Sequence, residues 1–285
     1  MSVLEETKYL MKKYKIKANK SLGQNFLIDD TVIEDIVGGA SIGKDDLVIE
    51  IGPGLGSMTA LLVEKAKKVI CVELDKKMIK ILNDRFIADD NIELINEDVL
   101  KLDLNKLIKQ EKEQNEIKDV KIVANLPYYI TTPIIMKLLE EKLNITSITV
   151  MIQKEVADRL IAVPGEKNAG AITYSVYYYA EAEKVLDVAN NSFIPEPSVT
   201  STVIKLNIRK EPVIQINDEK LMFKIIKQAF MQRRKTLVNA LSNMDIFKSK
   251  EEIIRMLEDL NINTKVRGEA LTIEQYAQIT NYVEK

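Results

Sequence analysis

Short apolar runs alternate with helix-period patterns from residue 32 to about residue 153. Residues 47–49, 69–72, 92–95, 120–124 and 150–152 are mostly Val, Ile and Leu and are of strand length. Between the first two of these, Met58, Leu61, Leu62 and Ala66 fall on one helical face. Upstream, Val32, Ile33, Ile36 and Val37 do the same, and Asp29 or Asp30 is suited to cap that helix. Residues 153–161 suit a further helix. Strands alternating with helices predict an α/β fold on a doubly wound sheet. Residues 184–188 and 202–206 suit a terminal strand pair, and 111–116, with Glu111, Glu113 and Glu116, reads as an exposed polar insert. The alternation stops at 209–217, around Pro212, so the expected domains are 1–208 and 209–285. In the second, Leu221, Met222, Ile225, Ile226, Ala229 and Phe230 recur at helical spacing. Residues 251–260 and 273–283 repeat that theme, which predicts a small all-helical domain.

Composition narrows the chemistry. A chain of 285 residues, 46% hydrophobic and 29% charged, has the make-up of a soluble globular protein. No apolar run approaches the roughly 18 residues of a membrane span. Glu5 and Glu6 near the start, without an apolar stretch, do not suit a secretory leader. The single cysteine, Cys71, lies inside an apolar strand; it reads as an inert buried thiol and excludes an internal disulfide. A cytoplasmic protein, acting as a monomer and away from membranes, is expected. The chain has no histidine. That excludes Ser-His-Asp and Cys-His catalysis, His-ligated metals and imidazole proton shuttling, and no metal is expected. Methyl transfer from a sulfonium remains open, because the donor is already activated and the amine proton can leave to water.

Two motifs point to that reaction. Glu50-Ile51-Gly52-Pro53-Gly54-Leu55-Gly56 joins the first strand to the next helix. A strand, a glycine turn and a helix let backbone approach a nucleotide-like ligand. The spacing is G-x-G-x-G, not the G-x-G-x-x-G of dinucleotide sites. The second strand ends in Glu73, whose carboxylate can accept from both ribose hydroxyls, and the third is followed by Glu97-Asp98, where an acceptor could hold an adenine amine. The other motif, Asn125-Leu126-Pro127-Tyr128, ends the fourth strand. The Asn125 side-chain oxygen and the Leu126 carbonyl can both accept from one NH2 group, Pro127 stiffens the turn, and Tyr128 offers a ring face to a planar base. The ring face should matter more than the hydroxyl. S-adenosylmethionine fits these pieces better than NAD, since no phosphate-binding signature is present.

Charge is unevenly spread. Net charge is −2, yet residues 8–28 contain no acid and include Lys12, Lys13, Lys15, Lys17 and Lys20. Residues 221–244 also lack acids and include Arg233, Arg234 and Lys235. The N-terminal lysines suit either solvated surface or phosphate contact; three adjacent cations in 233–235 favour an anion nearby. The segment 21–27 between the first lysines and the first helix could fold over a cofactor mouth.

From about Lys20 to Tyr282, the chain resembles the S-adenosylmethionine-dependent ribosomal RNA adenine dimethyltransferases of the KsgA type. The resemblance rests on SLGQNFL (21–27), EIGPGLG (50–56), VELD (72–75), NEDVL (96–100), NLPYYITTPI (125–134), QKEVADRL (153–160), FIPEPSVTS (193–201) and QRRKTL (232–237). It implies a Rossmann-like sheet of seven strands, the last antiparallel. It also implies cofactor contacts from Asn25, Leu27, Gly52, Glu73, Asp98 and Asn125. Asn125, Leu126 and Tyr128 would hold the target adenine, with Phe193 on its other face. The implied reaction is dimethylation of the exocyclic amines of two adjacent adenosines near the 3′ end of small-subunit rRNA, so the small ribosomal subunit is the implied partner. The large-subunit adenine methyltransferases of macrolide resistance share the catalytic half but typically carry Asn-Ile-Pro-Tyr and lack QRRKT. A non-catalytic ribosome-assembly factor on the same fold is disfavoured by the intact Asn125–Tyr128 turn, Glu73 and Asp98.

Overall fold

The computed structural model describes residues 1–19 and 22–284. They form two compact units, one of Met1–Ala157 with Ala182–Ile208 and one of Asp158–Glu181 with Arg209–Lys285. One boundary between the units falls between residues 208 and 209, and residues 158–181 belong to the second unit. Among the described residues no helix is long and apolar enough to cross a membrane.

The first unit is organised by its sheet. Its strands in chain order are β1 (Phe26–Leu27), β2 (Leu47–Ile51), β3 (Lys68–Val72), β4 (Ile92–Ile95), β5 (Val120–Asn125), β6 (Ser147–Gln153), β7 (Ala180–Val188), β8 (Phe193–Ile194) and β9 (Ser201–Ile208). Seven of them run β4-β3-β2-β5-β6-β9-β7. The ladders from β4 to β6 are parallel, and β9 lies antiparallel to β6. β2 is buried at all five positions, as expected of a central strand covered on both faces. The chain builds outward from β2 to β4 and then returns to place β5 on the other side of β2. That reversal opens a crevice at the carboxyl ends of β2 and β5, where ligands of such sheets bind. The Gly52 turn follows β2, and Asn125 ends β5.

Three regions differ from the sequence reading. The lysine-rich N-terminus holds a helix that the sequence reading leaves out, Val3–Lys13, closed by a Ser2–Glu5 capping box. Leu10 packs with Phe26, Leu55, Met78 and Ile81, and Glu6 pairs with Arg85 at 2.5 Å. The lysines are on its outer side, so the periodic signal was carried by few apolar residues. Ala171–Tyr179 is a helix that no amphipathic pattern marks, because it is buried at Thr173–Val176, Tyr178 and Tyr179 and so lacks a polar face. Glu111 is not part of an exposed insert. It is 5% exposed in the helix Leu104–Gln114 and pairs with Lys68 at 2.7 Å.

In the helical unit, the Tyr174 ring packs edge-on against Phe230 and Tyr276, with centroids 5.5 and 5.2 Å away. The Tyr174 hydroxyl donates to the Leu271 carbonyl at 2.6 Å, so the buried ring keeps its polar tip satisfied.

Candidate active site

A cleft in the sheet unit is lined by residues from 22–27, the glycine turn, the ends of β3 and β4, and Asn125–Tyr129. Its two ends differ in chemistry.

At the first end, Gly52 adopts φ 69° and its N–H donates to the Val72 carbonyl at 2.9 Å. A Cβ at Gly52 would meet only the Asn125 carbonyl, at 3.9 Å, so the space beside that backbone is open. Glu73 follows β3 and is 7% exposed. Its carboxylate accepts from Gly54 N at 3.2 Å and from Asp75 N at 2.8 Å. Burial raises its pKa, while those two backbone donors act against the rise. Asp98 accepts from Leu100 N at 3.0 Å, which closes the turn after β4. Acceptors here meet open glycine backbone, with apolar walls from Ile51, Val72 and Val99. That set of acceptors fits an adenosine-containing cofactor, which offers ribose hydroxyls and an adenine amine as donors.

Behind the glycine turn lies a carboxyl that no motif argument singled out. Glu50 is fully buried. Its Oε2 accepts from the Thr59 hydroxyl at 2.6 Å, with the Cys71 thiol 3.6 Å away, and its Oε1 has no partner among the described residues. Burial pushes Glu50 up to about 7. Cys71 is buried in β3 and shifted well above the usual thiol range, first by burial and then by the Glu50 charge, which suits an inert thiol.

At the second end, Asn125 donates through Nδ2 to the Asn25 carbonyl at 3.2 Å. That bond turns Oδ1 away from Asn25. Leu126 N donates to the Met151 carbonyl at 3.2 Å, and the Pro127 carbonyl accepts from Ile130 N and Thr131 Oγ1. Among the described residues no hydrogen bond ends on Asn125 Oδ1 or on the Leu126 carbonyl. Tyr128 Oη lies 2.7 Å from Ser201 Oγ, and partial burial raises the Tyr128 pKa. Gly23, at φ 61°, packs so closely that a Cβ would stand 3.3 Å from Pro127 Cβ and from the Tyr129 ring. The 22–27 segment therefore lies against the Asn125–Tyr128 turn. Asn25 and Leu27 line the cleft with Gly52, Glu73, Asp98, Asn125, Leu126, Pro127 and Tyr128.

Phe193 does not join them. It is 2% exposed and packed in the core with Ile33, Val48, Met151 and Val203. β8 pairs antiparallel with β1, Leu27 opposite Phe193, and Phe193 is not among the residues that line the cleft.

The basic residues also divide. Lys12, Lys13, Lys15 and Lys17 are exposed, and Lys13 Nζ sits 4.9 Å from the Tyr14 ring centroid. Lys20 lies outside the described residues. Arg233 is exposed, is paired with Glu269 and donates to the Lys167 carbonyl at 2.9 Å. Arg234 and Lys235 are exposed. Adjacent cations in sequence thus face different neighbours.

The order of these groups along the chain matches a known family. The profile described as ribosomal RNA adenine dimethylase covers residues 15–285. This chain belongs to the ribosomal RNA adenine dimethylase family. It is 50% identical over 278 residues to the ribosomal RNA small subunit methyltransferase A of Alkaliphilus metalliredigens, spanning 98% of this chain and 96% of that one. It is 46% identical over 277 residues to the protein so described from Clostridioides difficile, spanning 97% and 94%. A solved dimethyladenosine transferase from Plasmodium falciparum superposes with a TM-score of 0.76 at 25% identity, over 91% of this chain and 98% of that one. The 23S rRNA methyltransferase ErmE gives 0.68 at 23% identity, over 92% and 100%, a likeness of fold. As a member of the adenine dimethylase family the chain is an S-adenosylmethionine-dependent methyltransferase, and the acceptor-rich first end of the cleft fits that cofactor.

Proposed function

We propose that this adenine dimethylase modifies small-subunit rRNA, adding two methyl groups to the N6 amine of each of two adjacent adenosines near its 3′ end. The observation that carries the reading is the orientation of Asn125: its amide nitrogen is engaged by Asn25, and among the described residues no hydrogen bond ends on its Oδ1 or on the carbonyl of Leu126, both residues lining the cleft. The small subunit as target is supported by near-full-length relatives described as small-subunit methyltransferases.

The adenine N6 lone pair is delocalised into the ring, so the amine is a poor nucleophile. Asn125 Oδ1 and the Leu126 carbonyl each accept one N–H, which favours a more tetrahedral nitrogen and stabilises positive charge as it grows there. Pro127 fixes the turn, and the Tyr128 ring supports an adenine taken out of its stack. Glu73 and Asp98 hold ribose and adenine of the cofactor, with Gly52, Asn25 and Leu27 around them. S-adenosylmethionine supplies an activated methyl group on a sulfonium. With no histidine in the chain, the amine proton leaves to water after attack. Once one methyl is in place a single N–H remains, so the second transfer relies on one acceptor and a turned amine. Exposed Lys12, Lys13, Lys15, Lys17, Arg234 and Lys235 supply phosphate contacts.

Tritium transfer from labelled S-adenosylmethionine to separated subunits of unmodified ribosomes tests the target. Label on the small subunit is expected. Label on the large subunit would favour the macrolide-resistance reaction, and label on neither would leave a binding role.

A further inference from the structure

The Asn125–Tyr128 turn fixes its backbone well, through Leu126 N on Met151 and through the Pro127 carbonyl. Those bonds stop at the main chain and leave the Tyr128 ring to turn about its own side-chain bonds. The ring is secured at its far tip, where Oη lies 2.7 Å from Ser201 Oγ. Ser201 is 0% exposed and opens β9 opposite Gln153 of β6. Two residues along, Met151 of β6 pairs with both Val203 of β9 and Asn125 of β5. Two consecutive ladders therefore fix where Ser201 stands relative to Asn125. The serine is a point of attachment built into the sheet, 73 residues from the ring it meets.

We propose that Ser201 is a positioning residue for methyl transfer: by holding the Tyr128 hydroxyl, it keeps the ring face at the angle at which the extruded adenine presents its amine to Asn125 and Leu126. The inference rests on the adenine reading of this end of the cleft. It gives the Tyr128 hydroxyl a use that the stacking argument does not. A ring hinged at one end only would let the base rock, and rocking costs most when few hydrogen bonds hold the amine. The first transfer has two N–H groups to align it and the second has one, so loss of Ser201 Oγ should slow the second transfer more than the first. Monomethylated adenosine should then accumulate.

Ser201→Ala and Tyr128→Phe each remove this one bond from opposite sides. In single-turnover assays on unmodified small subunits at saturating cofactor, each should slow the second transfer roughly three- to tenfold, the scale of one neutral hydrogen bond. The double variant should be no slower than the worse single one, because both changes delete the same contact. Ser201→Thr, which restores an Oγ, should recover the parent ratio of mono- to dimethylated product. Calorimetric affinity for the cofactor should be unchanged in all of them. If Ser201→Ala unfolds, Tyr128→Phe carries the test alone, since its ring stays half-buried and its product ratio reports the same bond. A parent product ratio in Tyr128→Phe, or additive losses in the double variant, would overturn the positioning role. Failure of the parent enzyme itself to label small subunits would instead overturn the target reading, so the two failures are distinguishable.

Discussion

At the glycine-turn end of the cleft, the Glu73 carboxylate takes its two backbone donors from Gly54, 19 residues away, and Asp75, two residues away. At the other end, Asn125 is oriented by a carbonyl 100 residues away and Tyr128 by a hydroxyl 73 residues away. The first end is assembled by neighbouring strand ends of one sheet, and each acceptor follows directly from its own βα turn. The second presents neutral groups whose orientation, not charge, does the chemistry, and orientation needs fasteners from outside the turn. A carboxylate acts over several directions, whereas an amide aimed the wrong way offers a donor where an acceptor is required. The cofactor end should therefore tolerate small shifts that the base end does not.

Five variants would break or sharpen that contrast. The largest effect belongs to Asn125→Ala, which should slow the chemical step by at least about a hundredfold, the scale of losing one preorganised hydrogen-bond partner. RNA affinity should hardly change, since one amide contributes little beside many phosphate contacts, and a large loss of RNA affinity would show that Asn125 acts in binding and not in the chemical step. Next comes Glu50, beneath the cofactor end. Its folded pKa of about 7 stands above its ordinary 4.5. Between those values the folded protein keeps a proton that the unfolded chain has released. The resulting stability is fully present below about pH 4.5 and is lost as pH rises through about 7, on the order of 3 kcal/mol in all. Glu50→Gln should flatten the fall in Tm across that window; parallel Tm profiles for variant and parent would show that Glu50 ionises normally.

Glu73→Ala should weaken cofactor binding by roughly 1.5–3 kcal/mol, as for hydrogen bonds to a charged acceptor. Unchanged calorimetric affinity would remove Glu73 from the cofactor end. The smallest effect concerns the basic run. Replacing Arg234 and Lys235 with Ala should lower the slope of log affinity against log salt by about 1–2, one phosphate contact each. Arg233→Ala should instead lower Tm, because its guanidinium serves Glu269 and Lys167. A salt slope moved only by Arg233 would reverse this assignment.

The same contrast explains what was legible in the sequence. Strand ends, the glycine turn, Glu73 and Asp98 announce themselves within a few residues, and the parallel ladders place them as the alternation predicts. The Asn25 and Ser201 contacts are invisible to periodicity, since nothing local says which distant carbonyl or hydroxyl an amide or phenol will meet. Both residues lie inside quoted motifs, but motif membership does not name a partner. Phe193 shows the converse. Its motif suggested a base-facing ring, whereas the two-residue β1–β8 ladder, too short to show in an alternation, turns it into the core. Glu50 opens a quoted motif, but nothing local says that an acid in an apolar strand is fully buried with one oxygen unpartnered. Charge density alone points Arg233 at an anion, and it does not register a carboxylate 36 positions later.

The central claim is that the two ends act separately, one on cofactor binding and the other on the chemical step. Single-turnover methylation of unmodified small subunits by Glu73→Ala and Asn125→Ala, followed as S-adenosylmethionine is raised to saturation, tests it most directly. The account predicts that Glu73→Ala climbs to near the parent rate, while Asn125→Ala stays at least about a hundredfold slower at every cofactor concentration. An Asn125→Ala enzyme that reaches the parent rate at saturating cofactor would contradict it.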